Sequence, residues 1–181
     1  MTTGFHSAPR GGVRIEVDSG EASLLRSMAA LVLQLVEAPE PQDEFAALIG
    51  IGANSTRPED PVLARLFPDA YTEDALAAGD FRRYTEDGLR RHKRENAQLV
   101  FDGIPAGGGE ITLDLADAHS WLKLLTDVRL SLGTRLGIED EADLEALRQR
   151  LRGDESLASA AHIYEWLTHL QESLVQALMR D

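Results

Sequence analysis

One unit occurs twice in this chain, and it sets the scaffold. Val13-Arg14-Ile15-Glu16-Val17 runs into Asp18-Ser19-Gly20-Glu21 and then into a long apolar-periodic stretch. Ile111-Thr112-Leu113 runs into Asp114-Leu115-Ala116-Asp117 and then into another. Each copy reads as a short strand with alternating apolar side chains, closed by an Asp helix cap with an acid three residues on. Nothing reactive sits at either junction, so the unit is architectural.

The rest of the pattern is helical. Met1 to Gly12 is small, polar and Gly/Pro-containing, and is expected to fray ahead of a single domain over residues 13–181. Leu24, Met28, Leu31 and Leu35, widened by Leu25, Val32 and Val36, wrap apolar surface most of the way round a helix, which predicts a central place in the core. Pro39 and Pro41 stop it. A short helix from Asp43 to Ile49 is expected next, then a Gly/Asn/Ser/Pro-rich loop, Gly50 to Pro61, whose tip is the best place for a mobile segment. Asp60-Pro61 starts a short helix through Leu66, with Pro61 at the first helical position.

One long helix is expected from Thr72 to about Phe101, with Gly79 and Gly88 as kink points. Pro105 and Gly107-Gly108-Gly109 turn the chain into the second strand. Leu115 to Leu136 carries Ala118, Trp121, Leu122, Leu125, Val128, Leu132 and Leu136 on one broad face, and Gly137 suits a C-cap. Asp140 to Leu151 reads as a charged, exposed helix. From Ser156 to about Met179, Ile163, Leu167, Leu170, Leu174 and Leu178 form a stripe that wants a partner helix. The two strands can pair, but a two-stranded ribbon is marginal alone and needs helices over it. The expected fold class is mainly α: a helical bundle with a small two-stranded β element.

Composition removes several function classes. The hydrophobic share of 43% over 181 residues is that of a globular chain. No apolar run reaches ~18 residues, so no helix is expected to span a membrane, and the first residues lack the apolar core of a Sec-type signal. A cytoplasmic location is the default. With 0 Cys, disulfides, thiolate metal sites and thiol catalysis are absent together. The formal net charge of −13 opposes a nucleic-acid backbone unless a local basic face overcomes it.

One such face is conceivable. Arg82, Arg83, Arg90, Arg91, Lys93 and Arg94 cluster on the long helix with His92 among them. Glu86 precedes Arg90 by four and Asp87 precedes Arg91 by four, the spacing of helical ion pairs on a solvated face. A helix-turn-helix over Asp140 to Leu170 is disfavoured, because Gly153 through Met179 contains no Lys or Arg to anchor phosphates. His162, Glu165, His169 and Glu172 share one helix face. The two histidines are seven residues and ~10 Å apart along the axis, too far for one ion, so no metal is expected. Gly50-Ile51-Gly52 lacks the rest of a dinucleotide fingerprint, no nucleophile elbow is visible, and no cofactor is expected. Arg129 sits one turn from Leu125 and Leu132, where a half-buried cation needs a carboxylate or a row of carbonyls. An internal ion pair is the first reading, and reception of an acidic group the second. Trp121, Trp166 and Tyr164 read first as core or groove walls and second as an interface.

The stretches "WLKLLTDVRLSLGTRLGIEDE" (Trp121 to Glu141) and "IYEWLTHLQESLVQALM" (Ile163 to Met179) resemble an actinobacterial family of unknown function. The earlier "EFAALIGIG", "DPVLARLFPDAY" and "DFRRYTEDGLRRHK" are similar to the same family. The resemblance implies genes set beside that of the ClpS adaptor, and for some members a role as transcriptional regulators of oxidative stress working with an alternative sigma factor. Redox sensing through cysteine cannot operate in this chain, which leaves protein contact as the implied route. No catalytic residue carries over.

The expected function is therefore a non-enzymatic cytoplasmic regulator that binds a protein partner, from the transcription or proteolysis machinery, with a homodimer as one arrangement. The candidate surface comprises Arg82, Arg83, Arg90, Arg91, Arg94, Arg129, Tyr164 and Trp166. The alternatives are a DNA-binding factor using the helix over Arg82 to Arg94, and a small-molecule-binding protein with a polar pocket near Arg129 or the Gly50 to Pro61 loop.

Overall fold

The computed structural model describes residues 3–37, 55–150 and 155–180. The expected helix over Asp43 to Ile49, Gly50-Ile51-Gly52 and Gly153 lie outside them. The elements are β1 (His6–Ser7), β2 (Val13–Val17), α1 (Ser19–Leu35), α2 (Pro61–Leu66), α3 (Ala75–Gly103), β3 (Gly109–Leu113), α4 (Leu115–Leu136), α5 (Glu141–Arg150) and α6 (Glu155–Leu178). The fold is mainly α, with one small antiparallel sheet.

The repeated strand-to-helix unit forms as β2–α1 and β3–α4. The Asp18 carboxylate accepts from the Glu21 N–H at 2.8 Å, and the Glu21 carboxylate accepts from the Asp18 N–H at 3.0 Å, a full capping box. Asp114 accepts from the Asp117 N–H at 2.8 Å, and Asp117 places negative charge at the helix N-terminus. Val13 pairs with Leu113 and Ile15 with Ile111, antiparallel. Those side chains are buried while Arg14, Glu16 and Thr112 are exposed, so the alternation in sequence becomes one covered and one solvated face. Gly108, at φ +79°, lets the chain pass close to the end of β2: a Cβ there would stand 2.6 Å from the Val17 carbonyl oxygen. Gly137 closes α4 in the left-handed conformation, with the Ile138 N–H donating to the Gly133 carbonyl.

The sheet has three strands where two were expected, and the third comes from the segment expected to fray. β1 pairs with β2, His6 opposite Arg14 and Ser7 opposite Val13. Phe5 is buried and meets Trp121 edge-on at 5.7 Å between ring centroids. Its N–H donates to the Ser173 hydroxyl at 3.0 Å. One aromatic side chain anchors an arm whose composition otherwise reads as loose.

α4 lies at the centre, against α6, α3 and α2, while α1 packs on α3. Trp121, Leu125, Leu167, Leu170 and Leu174 are almost fully enclosed. The partner that the α6 stripe wants is thus α4 of the same chain, and the stripe gives no reason to expect a dimer. α1 is less central than its apolar content implies. Ser23, Ser27, Leu31 and Gln34 share an outward face among the described residues, and Leu31 is 57% exposed. α3 starts at Ala75 because Asp74 accepts from the Leu76 and Ala77 N–H groups. Arg26 of α1 holds its far end, donating to the carbonyls of Phe101 (2.7 Å) and Ile104 (2.8 Å).

Phe5→Ala should lower unfolding free energy by about 3 kcal/mol, the cost of removing a buried ring, whereas exposed His6→Ala should change it by less than about 0.5 kcal/mol. Urea denaturation measures both, and a Phe5→Ala loss no larger than that of His6→Ala would contradict the anchored arm.

Candidate functional site

The cations of α3 divide across the helix. Arg82, Glu86 and Arg90 follow at steps of four, so they share one face, and that face points inward: each is 5% exposed. Glu86 is gripped from both sides, by Arg82 Nη1 at 2.6 Å and by Arg90 Nη2 at 2.8 Å and Nε at 3.0 Å. Arg82 also donates to the Asp69 carboxylate at 2.7 Å and the Phe67 carbonyl at 3.0 Å. Arg90 lies over the Phe67 ring, 4.4 Å from its centroid, and donates to the Glu37 carbonyl at 3.3 Å. Burial alone would lower the Arg82 pKa, but its bonds to Asp69 and Glu86 more than reverse this and hold it above the ordinary value. Lys93 is committed as well, to Asp127 of α4 at 2.5 Å. Burial pushes the Asp127 carboxyl above its usual range, and Lys93 offsets part of that rise.

The expected solvated basic face therefore does not form as such. Arg82 and Arg90 are interior residues, because each has an acid within reach that cancels its charge on burial. Arg83, Arg91 and Arg94 remain exposed, interleaved with exposed Asp80, Asp87, Glu95 and Asp102, so the outward face carries no net positive charge. What distinguishes it is apolar. Leu76 is 79% and Tyr84 71% exposed, and Tyr71 and Phe81 beside them form an edge-on pair at 6.0 Å. Sequence reasoning missed these residues. The signal was their helical phase: Leu76 and Tyr84 fall in step with Arg83, Asp87 and Arg91, away from Ala78, Ala97 and Val100.

The remaining candidates lie on α4 and α6. Trp166 is buried and belongs to the core, so it leaves the candidate surface. Tyr164 is half-buried, its ring against the bare backbone of Gly133, where a Cβ would approach to 3.3 Å. Arg129 is half-buried too, but the internal ion pair expected for it is not what holds it. Nη1 donates to the neutral Gln171 amide oxygen at 2.7 Å, and the Gln171 amide nitrogen donates to the Thr126 hydroxyl at 2.8 Å. Arg129, Tyr164 and Gln171 line a cavity of about 490 Å³ between the two helices. His162, Glu165, His169 and Glu172 are all exposed on α6.

The family model described as "Domain of unknown function (DUF2017)" matches residues 2–178. The chain belongs to this family. It is 35% identical over 176 residues to the "Oxidative stress regulator AosR" of Mycobacterium tuberculosis (strain ATCC 25618 / H37Rv), covering 88% of this chain and 78% of that protein. The protein of the same name in Mycobacterium bovis is similar to the same extent. No solved structure matches the chain. Among the described residues, no helix is long and apolar enough to cross a membrane.

Glu86→Ala should cost about 3 kcal/mol or more in urea denaturation, because it strands two buried cations, whereas Arg83→Ala should stay within about 0.5 kcal/mol. Equal losses would mean that Glu86 does not hold the pair.

Asp127 gives a pH dependence of definite sign. Its folded-state pKa is raised, so its contribution to stability is present below the unfolded value of about 4 and is lost as pH rises through the folded value. The stability of the parent chain relative to Asp127→Asn should therefore fall as pH rises from about 4. Urea titrations at several pH values read this directly, and a difference that rises with pH would reverse the assignment.

Proposed function

We propose that this chain is a regulatory protein without catalysis of its own, acting in the cytoplasm through contact with a protein partner on the outward face of α3. The observation that carries this reading is the group Leu76, Tyr84, Phe81 and Tyr71, exposed at one end of α3. Large apolar side chains left in water together, with arginines beside them, have the composition of a binding hot spot. The names of the mycobacterial relatives support a regulatory role, and oxidative-stress regulation comes to this chain by that similarity alone. Without cysteine, the chain's part in such regulation is association and not thiol chemistry. The DNA-binding alternative loses support from the inward turn of Arg82 and Arg90 and from the charge balance outside. The proposed partner is a component of the transcription or proteolysis machinery, or a second copy of the chain.

The test is the double variant Leu76→Ser/Tyr84→Ser. The parent chain should enrich a discrete partner from host lysate, or dimerise by light scattering. The variant should lose that association about tenfold or more while its melting temperature stays close to the parent's. Equal association by the variant would remove α3 as the surface, and a parent chain that stays monomeric and captures nothing would remove the partner reading.

A further inference from the structure

Arg129 is a cation held by neutral groups. Its contacts are the Gln171 amide oxygen at 2.7 Å and the face of the Tyr164 ring, 5.6 Å from the centroid. Its Nε is enclosed and, among the described residues, has no acceptor. A guanidinium carries five N–H donors, so a half-buried one with a single neutral acceptor among the described residues is costly unless something else completes it. Packing does not explain it, since the α4–α6 seam closes through Leu125, Leu167 and Leu170. Position is not left to chance either. Gln171 is oriented by its bond to Thr126, and in turn fixes Nη1. Nη1 is thus committed and Nε is enclosed, which leaves Nη2 as the guanidinium nitrogen that can meet a ligand carboxylate in the cavity.

The cavity that Arg129 lines, about 490 Å³, falls in the range of small-molecule sites. Leu130, Ile138 and Tyr164 give it apolar walls. Arg65 adds a second cation, and Glu139 and Asp140 add two anions, so the lining is formally neutral among the described residues. Such a lining suits a ligand with one negative charge on an organic body and disfavours a multiply charged phosphate.

We infer that this cavity is a binding site for a small organic carboxylate, with Arg129 taking the carboxylate and Tyr164 the body of the ligand. No residue of α3 lines it, so the site stands independently of the partner surface.

The experiment is a two-dimensional NMR titration of the nitrogen-labelled full chain with sodium benzoate, and separately with benzamide and with inorganic phosphate. Benzoate should give saturable shifts of the Arg129 Nε–H signal and of the Gly133 and Tyr164 amides, with a Kd on the order of 1 mM. Benzamide has the same shape without the charge, and phosphate the charge without the body; both should bind about tenfold more weakly or not at all. Arg129→Gln should abolish the benzoate shifts, and Arg129→Lys, which keeps the charge but loses the planar group that Gln171 orients, should weaken binding about tenfold. The proposal is overturned if benzoate gives no saturable shift up to ~50 mM, if benzamide or phosphate binds as well as benzoate, or if a folded Arg129→Gln binds benzoate unchanged. Should neither variant fold, the three titrations of the parent chain decide the matter.

Discussion

A carboxylate sealed between two guanidiniums organises this molecule. Glu86 alone would be prohibitive to bury, and so would Arg82 or Arg90; together with Asp69 they cancel. The network also reaches outward from α3. Arg82 holds the segment after α2 through Phe67 and Asp69, and Arg90 stacks on Phe67 and reaches the chain beyond α1 at Glu37. Lys93 joins α4 at Asp127. A helix with little apolar surface on its inner face is thereby fixed to several neighbours by directed bonds. Directed bonds set the rotation of α3 about its own axis more sharply than a smear of aliphatic contacts would.

That rotation decides what the solvent meets. With Arg82, Arg90 and Lys93 spent on interior acids, the basic run in the sequence leaves no basic surface behind it. The same turn puts Leu76 and Tyr84 outside, where an amphipathic reading of α3 would not look for them. Core and surface are thus chosen by one set of ion pairs, and the exposed apolar face follows from the way charge is hidden.

Much of the scaffold was legible in the sequence. The strand-to-helix units, the Asp caps at residues 18, 60 and 114, the Gly137 cap and the heptad-like stripe of α6 each rest on local chemistry, and local chemistry is what a single sequence displays. What escaped depends on contacts distant along the chain. β1 exists because Phe5 finds Trp121 and Ser173, which nothing near Phe5 announces. The inward turn of Arg82 and Arg90 depends on Asp69 and Phe67, more than a dozen residues away. Spacing of four suggested the Glu86–Arg90 pair, but spacing does not say whether a pair faces water. Arg129 was recognisable as an anomaly on an apolar face. Its neutral partner, Gln171, lies forty-two residues further on, and only the fold could bring the two together.

The seam between β1 and α6 bears on how the protein is made. Phe5 and Ser173 are 168 positions apart, and Ser7 reaches the Ala177 carbonyl across 170. At ordinary ribosomal speeds the first strand waits on the order of ten seconds or more before the helix that completes its pocket has emerged. Through that interval the Phe5 ring lacks the helix that shelters it, so β1, although it is translated long before α6, is among the last elements to find its place.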